Sequence, residues 1–301
     1  MPILFVLAGM SAHYALEKRT VKQFVKQRFN KLFIPFLGGV LFLVPIQTYY
    51  ARRFSGSYDG GFFDNLKYFF THLTDFSGYD GAFTPGHLWF ILFLFLISLI
   101  SLVPFHFLPY EKLKKQIERI PVLGILALFI PVWLMYYLGN FGGFSIGKNL
   151  ALYLIGYYML CNDTVLEKLE KNIAWLAGLC LVGTIVLVVC YYRFAYYGDL
   201  WINYIGWNTI LVWIVCGRKY LNRKTKWTEY FNQASYPIYI LHQSILVAVA
   251  YVVVRHLDGL LVQVLCIGWG SLALTVGAYQ ILRWVPSVRM LVGILPGSEQ
   301  K

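Results

Sequence analysis

Residues 88–102 read LWFILFLFLISLISL, without one charged side chain. Such a run does not alternate polar with apolar residues, so it does not fit a strand of a transmembrane barrel. In lipid, a helix satisfies every backbone polar group within its own segment, which makes a membrane-spanning helix the simplest reading. Eight other segments share this character. The set is roughly 1–16, 32–50, 87–107, 121–139, 147–161, 173–192, 201–217, 232–254 and 260–282. Several fall short of the ~20 residues of a full span. Composition agrees: 58% of the 301 residues are hydrophobic, 13% are charged, and the mean hydropathy is +0.60. A soluble domain carries about twice that share of charge. Disorder, collagen, coiled coil and a disulfide-rich secreted scaffold are excluded by the same figures. The expected fold is all-α, a polytopic transmembrane bundle of about nine helices, in one domain over 1–301 with no internal repeat.

The net charge is +12. In a membrane protein positive charge marks orientation, because lysine and arginine gather in cytoplasmic loops. The odd-numbered loops and the tail hold 20 of the 26 lysines and arginines. That places them, and the C-terminus, in the cytoplasm, and it makes nucleic acid an unneeded partner. The same topology starts the chain outside, with no charged leader before the first apolar segment. The expectation is a preceding helix, absent from a truncated start, giving ten with both ends inside; the other reading is nine helices with the N-terminus outside. The five cysteines show no CxxC or metal spacing and read as small buried apolar residues. No metal site is expected.

The longest stretch between apolar segments, 51–86, holds Asp59, Asp64, Asp75 and Asp80. It reads as a lid or acceptor surface, or as a solvated loop.

Ionisable groups in or beside a span cost about 2.5–3.5 kcal/mol at the helix centre, so their positions are informative. The first cluster is Lys18, Arg19, Lys22, Lys26, Arg28 and Lys31, ahead of Pro35. Lys18, Lys22 and Lys26 are four apart and share a face if helical. The patch suits a nucleotide phosphate, or equally lipid headgroups at the inner interface. The second is Gly86-His87-Leu88-Trp89-Phe90. His87 exchanges a proton near neutral pH, or sits at the outer interface with Trp89 as a belt residue. The third is SYPIYILHQ at 235–243. Ser235, Tyr239 and His242 follow i, i+4, i+7 on one helix face, and His242 falls near mid-membrane. Such a stripe faces a wet cavity or serves as helix–helix glue. His13 reads as structural, and Asn203, Trp207 and Asn208 as lining for the same cavity. Asp163, Glu167 and Glu170 read as solvated.

In this order the clusters resemble the acyltransferase-3 family of integral membrane acyltransferases, in the branch similar to glucan biosynthesis protein C. FVLAGMSA at 5–12 is similar to the family's FFxLxGxSA stretch. FVKQRFNKLFIP at 24–35 resembles its FxxxRxxRLxxP segment, with Lys31 for the second arginine. GHLWF at 86–90 resembles its HLWFL signature. RKYLN at 218–222 and the stretch ending Leu241-His242 resemble its last region, SxPxYxLHQ. The likeness covers most of the chain.

The resemblance implies a ten-helix bundle in the cell membrane. It implies transfer of an acyl group, acetyl or succinyl in class, from acyl-CoA to a hydroxyl of a cell-envelope glycan or glycolipid. Acyl-CoA is then a co-substrate, and no bound cofactor is expected. Lys26, Arg28 and Lys31 would bind the donor, with Trp89 and Tyr239 as further substrate-binding residues. His87 and His242 are the catalytic candidates. The family's key histidine lies on its first helix, and this sequence begins at the equivalent of the second. A transporter or flippase is the competing class, since an intramembrane polar stripe also suits a substrate path; the lack of a repeat counts against it. A non-catalytic remnant is the third reading.

Overall fold

The computed structural model describes residues 1–74, 80–141, 144–195 and 198–294. Among them, regular structure is helical except for one antiparallel pair, Asn140–Phe141 with Phe144–Ser145. Six helices are long and apolar enough to cross a membrane: Val21–Phe54, Gly86–Phe107, Ile173–Phe194, Asp199–Leu221, Lys226–His256 and Leu260–Leu282. A seventh is formed if the pair Tyr110–Arg119 and Val122–Tyr137, bent by 118°, counts as one span. The remaining two apolar segments are also helical but shorter. They are Pro2–Lys18 and Ile146–Ile155, the latter running into a π-helical turn at Gly156–Leu160. The fold is therefore an all-α polytopic bundle.

The basic segment departs from the expected pattern. Thr20 and Gln23 form a reciprocal cap: the Gln23 N–H donates to Thr20 Oγ1 at 3.3 Å, and the Thr20 N–H donates to Gln23 Oε1 at 3.0 Å. That cap starts a new helix after Lys18, so Lys18 leaves the face that Lys22 and Lys26 share. The new helix is continuous with the next span, through a π-helical turn at Phe29–Phe33. Pro35 has no N–H to give the Lys31 carbonyl, which loosens the ladder at this point.

The described chain forms two compact units. The first comprises Met1–Val25 and Leu96–Arg223. Its helix Pro2–Lys18 crosses the segment 146–160 at glycines on both sides. A Cβ on Gly9 would run into the Tyr153 carbonyl, and one on Gly156 into the Val6 carbonyl. Small residues allow the two backbones to touch, as is common between helices in lipid. Two buried donors are matched: Trp207 Nε1 donates to the Ile125 carbonyl at 2.9 Å, and Asn208 Nδ2 to the Leu176 carbonyl at 3.1 Å.

The second unit comprises Lys26–Phe95 and the chain from Lys224 onward. Lys226–His256 packs along Leu260–Leu282 on one side and Val44–Phe54 on another. Ala234, Leu241, Tyr279 and Val292 are buried in its core. The stretch 51–86 is more structured than a loop. It carries helix Phe62–Thr71, anchored by the fully buried Asn65, whose Oδ1 accepts from Arg52 Nη1 at 3.1 Å and whose Nδ2 donates to Thr48 Oγ1 at 3.3 Å. The Asp80 carboxylate accepts from the Ala82 N–H at 3.0 Å. Asp75 lies outside the described residues.

Candidate functional site

His87 follows Gly86, whose φ of +52° lies in the left-handed region that glycine adopts without strain. The Gly86 N–H donates to Thr84 Oγ1 at 3.1 Å, and the Leu88 N–H returns to the Pro85 carbonyl at 3.1 Å. This tight start aims the imidazole at the middle of helix Lys226–His256 rather than at an interface. That helix is roughly 46 Å long, more than the ~30 Å hydrocarbon layer, so its midpoint lies deep.

Three groups hold the His87 residue. Its Nε2 is 3.1 Å from the Ile240 carbonyl, which only accepts, so Nε2 carries the hydrogen. Nδ1 then accepts from Gln47 Nε2 at 3.0 Å. The Tyr239 hydroxyl donates to the His87 carbonyl at 2.5 Å. Gln47 gives its other amide hydrogen to Ser244 Oγ at 2.9 Å, and Ser244 donates onward to the Leu43 carbonyl at 2.9 Å. Both ring nitrogens of His87 are engaged by protein groups, and the ring is locked.

His242 differs. Its Nδ1 is 2.6 Å from the Tyr239 carbonyl, one turn back on the same helix. The hydrogen therefore sits on Nδ1, and Nε2 keeps its lone pair. The ring stands edge-on to His87, centroids 5.3 Å apart at 89°, and tilted against Tyr239 at 5.6 Å. Phe90 closes on Tyr239 at 5.9 Å. The arrangement is one imidazole fixed at both nitrogens beside a second whose free-lone-pair nitrogen can accept a proton.

His87, Tyr239 and His242 thus come together as one cluster. Ser235 does not join them: it is exposed, while Tyr239 and His242 are half-buried. Trp89 makes ring contacts along its own helix, to Phe90 at 6.3 Å and Phe93 at 5.5 Å. Lys26 and Lys31 are exposed and Arg28 is half-buried, on the same continuous helix that carries Gln47. Along the axis Arg28 and Gln47 are roughly 28 Å apart. The cationic segment and the histidine cluster therefore mark opposite ends of one rod. Asn203, Trp207 and Asn208 belong to the first unit, whereas His242 belongs to the second. Among the described residues no group of three His, Cys, Asp or Glu is placed to hold a metal.

Gln47 and Ser244 are the members that sequence reasoning missed. Their signal was present: a glutamine inside the apolar run 32–50, and a serine two residues past His242. A polar side chain in a span calls for a partner.

No curated protein and no solved structure matches the chain. A family model described as an acyltransferase domain matches residues 1–280. Coverage of that extent, ending two residues before the end of the last long helix, takes in the basic segment, the His87 signature and the His242 stretch together, and it identifies the chain as a member of the acyltransferase-3 family of membrane acyltransferases.

Proposed function

We propose that this acyltransferase moves an acyl group of the acetyl or succinyl class from acyl-CoA to a hydroxyl of a cell-envelope carbohydrate. The observation that carries the reading is the tautomer of His242: with Nδ1–H tied to the Tyr239 carbonyl, Nε2 is the basic nitrogen. An alcohol becomes an effective nucleophile as a base takes its proton in the transition state. In this scheme His242 Nε2 accepts the proton of the acceptor hydroxyl. The alkoxide oxygen bonds to the thioester carbonyl, the C–S bond breaks, and His242 returns the proton to the departing thiolate. His87 is the positioning partner, since its nitrogens are engaged by Ile240 and Gln47. Tyr239 holds the His87 backbone through its hydroxyl and the His242 ring through its carbonyl.

Lys26, Arg28 and Lys31 supply charge suited to the coenzyme phosphates. Their distance from His242 along the bundle suits a donor whose reactive thioester lies at the far end of a long arm from its phosphates. The lysine and arginine distribution supports a cytoplasmic C-terminus and a donor taken from that side, with the multi-pass chain in the cell membrane. Trp89 then belongs to the acceptor side.

The test supplies labelled acetyl- and succinyl-CoA to membranes carrying the chain, beside a His242→Gln variant of matched abundance. Label in envelope glycan with the parent chain and not with the variant supports the reading. Label in lipid or protein alone, or glycan label indifferent to the variant, overturns it.

A further inference from the structure

The first unit holds a cavity of about 370 Å³, open to one side, and nothing in the transfer scheme uses it. Its wall is apolar apart from Lys148, Asn203 and Thr209. The Thr209 hydroxyl donates to the Ile205 carbonyl at 2.8 Å. Asn203 spends its amide N–H on the Asp199 carbonyl at 2.7 Å and offers Oδ1 to Lys148 Nζ, also at 2.7 Å. Lys148 lies further over the Tyr136 ring, 5.7 Å from its centroid. Among the described residues no carboxylate lies within 4 Å of this ammonium. Its hydrogen-bond partner is a neutral amide, which accepts one of its three donors. The Asp199 carboxylate acts on it from beyond 4 Å, without contact. A cation facing an apolar cavity in a lipid-embedded bundle, with two donors unspent and no anion in contact, is incomplete.

The shape of the cavity states what would complete it. Lys148 and Asn203 both sit near the N-terminal ends of their helices, Ile146–Ile155 and Asp199–Cys216, so the charge lies at one end. From Asn203 the lining continues through Trp207 and Ile210 to Trp213, steps of four, three and three along one helix face, for roughly 15 Å. Trp213 is 61% exposed, so the apolar end opens sideways. A charged head near a membrane face with a hydrocarbon groove running inward is the outline of a bilayer amphiphile, not of a water-soluble anion.

We propose that this cavity is a binding site for an anionic lipid, with the headgroup on Lys148 and one acyl chain along Asn203, Trp207, Ile210 and Trp213. The inference is independent of the chemistry at His242, because every residue of it belongs to the other unit.

The test is native mass spectrometry of the intact chain released from micelles doped equally with phosphatidylglycerol and phosphatidylcholine. One charge contact of this kind is worth about 1 kcal/mol, so the anionic lipid is expected in about fivefold excess on the protein. Lys148→Arg should keep that preference and Lys148→Met should abolish it. Ile210→Trp, which fills the groove and leaves the charge, should lower retention of the anionic lipid, and it serves as the check if Lys148→Met does not fold. A parallel arm with oleate separates the sources of the anion: preferential retention of oleate assigns a fatty carboxylate, and preferential retention of phosphatidylglycerol a phosphodiester. Equal retention of the anionic and zwitterionic lipids, or loss of preference in neither Lys148→Met nor Ile210→Trp, overturns the site. So does a photoreactive residue at position 210 that crosslinks to a protein segment in place of lipid.

Discussion

His13 in the first unit and the His87–His242 pair in the second are both imidazoles among aromatic rings, and they are held in opposite ways. His13 is buried among the rings of Tyr110, Tyr157 and Tyr14, at 4.4, 5.2 and 5.5 Å. Its Nε2 meets the Glu17 carboxylate at 3.4 Å, one turn on along the same helix. That partner is exposed, and such a pair is worth little in water. Among the described residues no carboxylate pairs with the histidines of the second site: the Ile240 carbonyl and the Gln47 amide fix the His87 ring, and the Tyr239 carbonyl fixes that of His242. Neutral partners assign a tautomer without stabilising the imidazolium by a full charge. What differs between the two sites is the chemistry of the partners: a carboxylate for His13, carbonyls and an amide for His87 and His242.

That contrast can be broken first at His242. Replacement by glutamine should lower acyl transfer by a factor of about 10²–10⁴, the usual contribution of general base catalysis, with the folded yield unchanged. His13→Gln measured in parallel should change the rate less than about threefold, under 1 kcal/mol; equal losses would erase the distinction. The next effect is on stability and belongs to the first unit. Gly156→Val drives a side chain into the Val6 carbonyl and should cost at least about 2 kcal/mol, read as a fall in thermal midpoint in detergent. Gly178→Ala meets nothing within 4 Å and should stay within about 0.5 kcal/mol of the parent. Third, Gln47→Leu removes the donor to His87 Nδ1 and to Ser244. Losing about 1–1.5 kcal/mol of hydrogen bonding at the site amounts to about a tenfold fall in kcat with KM little changed. A change confined to KM would move Gln47 from positioning the rings to binding substrate. The smallest effect is expected at Glu17: Glu17→Gln should alter stability by no more than about 0.5 kcal/mol, because an exposed ion pair contributes little.

Much of this molecule was legible from residue types alone. The nine apolar segments are all helical, and two of the family's motifs, 86–90 and 235–243, fell on residues that meet in the second unit, while those at 5–12 and 218–222 lie in the first. Thr20-Val21-Lys22-Gln23 carries the capping box in plain view, yet the spacing of Lys18, Lys22 and Lys26 suggested one continuous face instead. Periodicity within a segment does not reveal a break between segments. The stretch 51–86 looked like a loop because its aspartates and glycines dominate its composition, while one buried asparagine decides its packing. Gln47 was invisible for a similar reason: its partners are 40 and 197 residues away in the chain. Hydrogen bonds between distant helices depend on how faces meet, and a single sequence carries that only through the polar residue it leaves in an apolar run.

The π-helical turn at Phe29–Phe33 has a consequence for the direction in which charge is presented. Each residue of an α-helix advances the chain by about 100° around the axis, and a π turn takes in one extra residue. Deleting a single residue there would return the turn to α geometry and leave the azimuth of Lys26 and Arg28 relative to Gln47 nearly unchanged, because the extra residue is spread around a wider turn. The bulge is thus a point of slack: it absorbs one residue while Gln47 keeps its grip on His87. A one-residue deletion at 29–33 should then disturb the cationic end less than one made in the α-helical stretch beyond Pro35, where each residue carries about 100° of rotation.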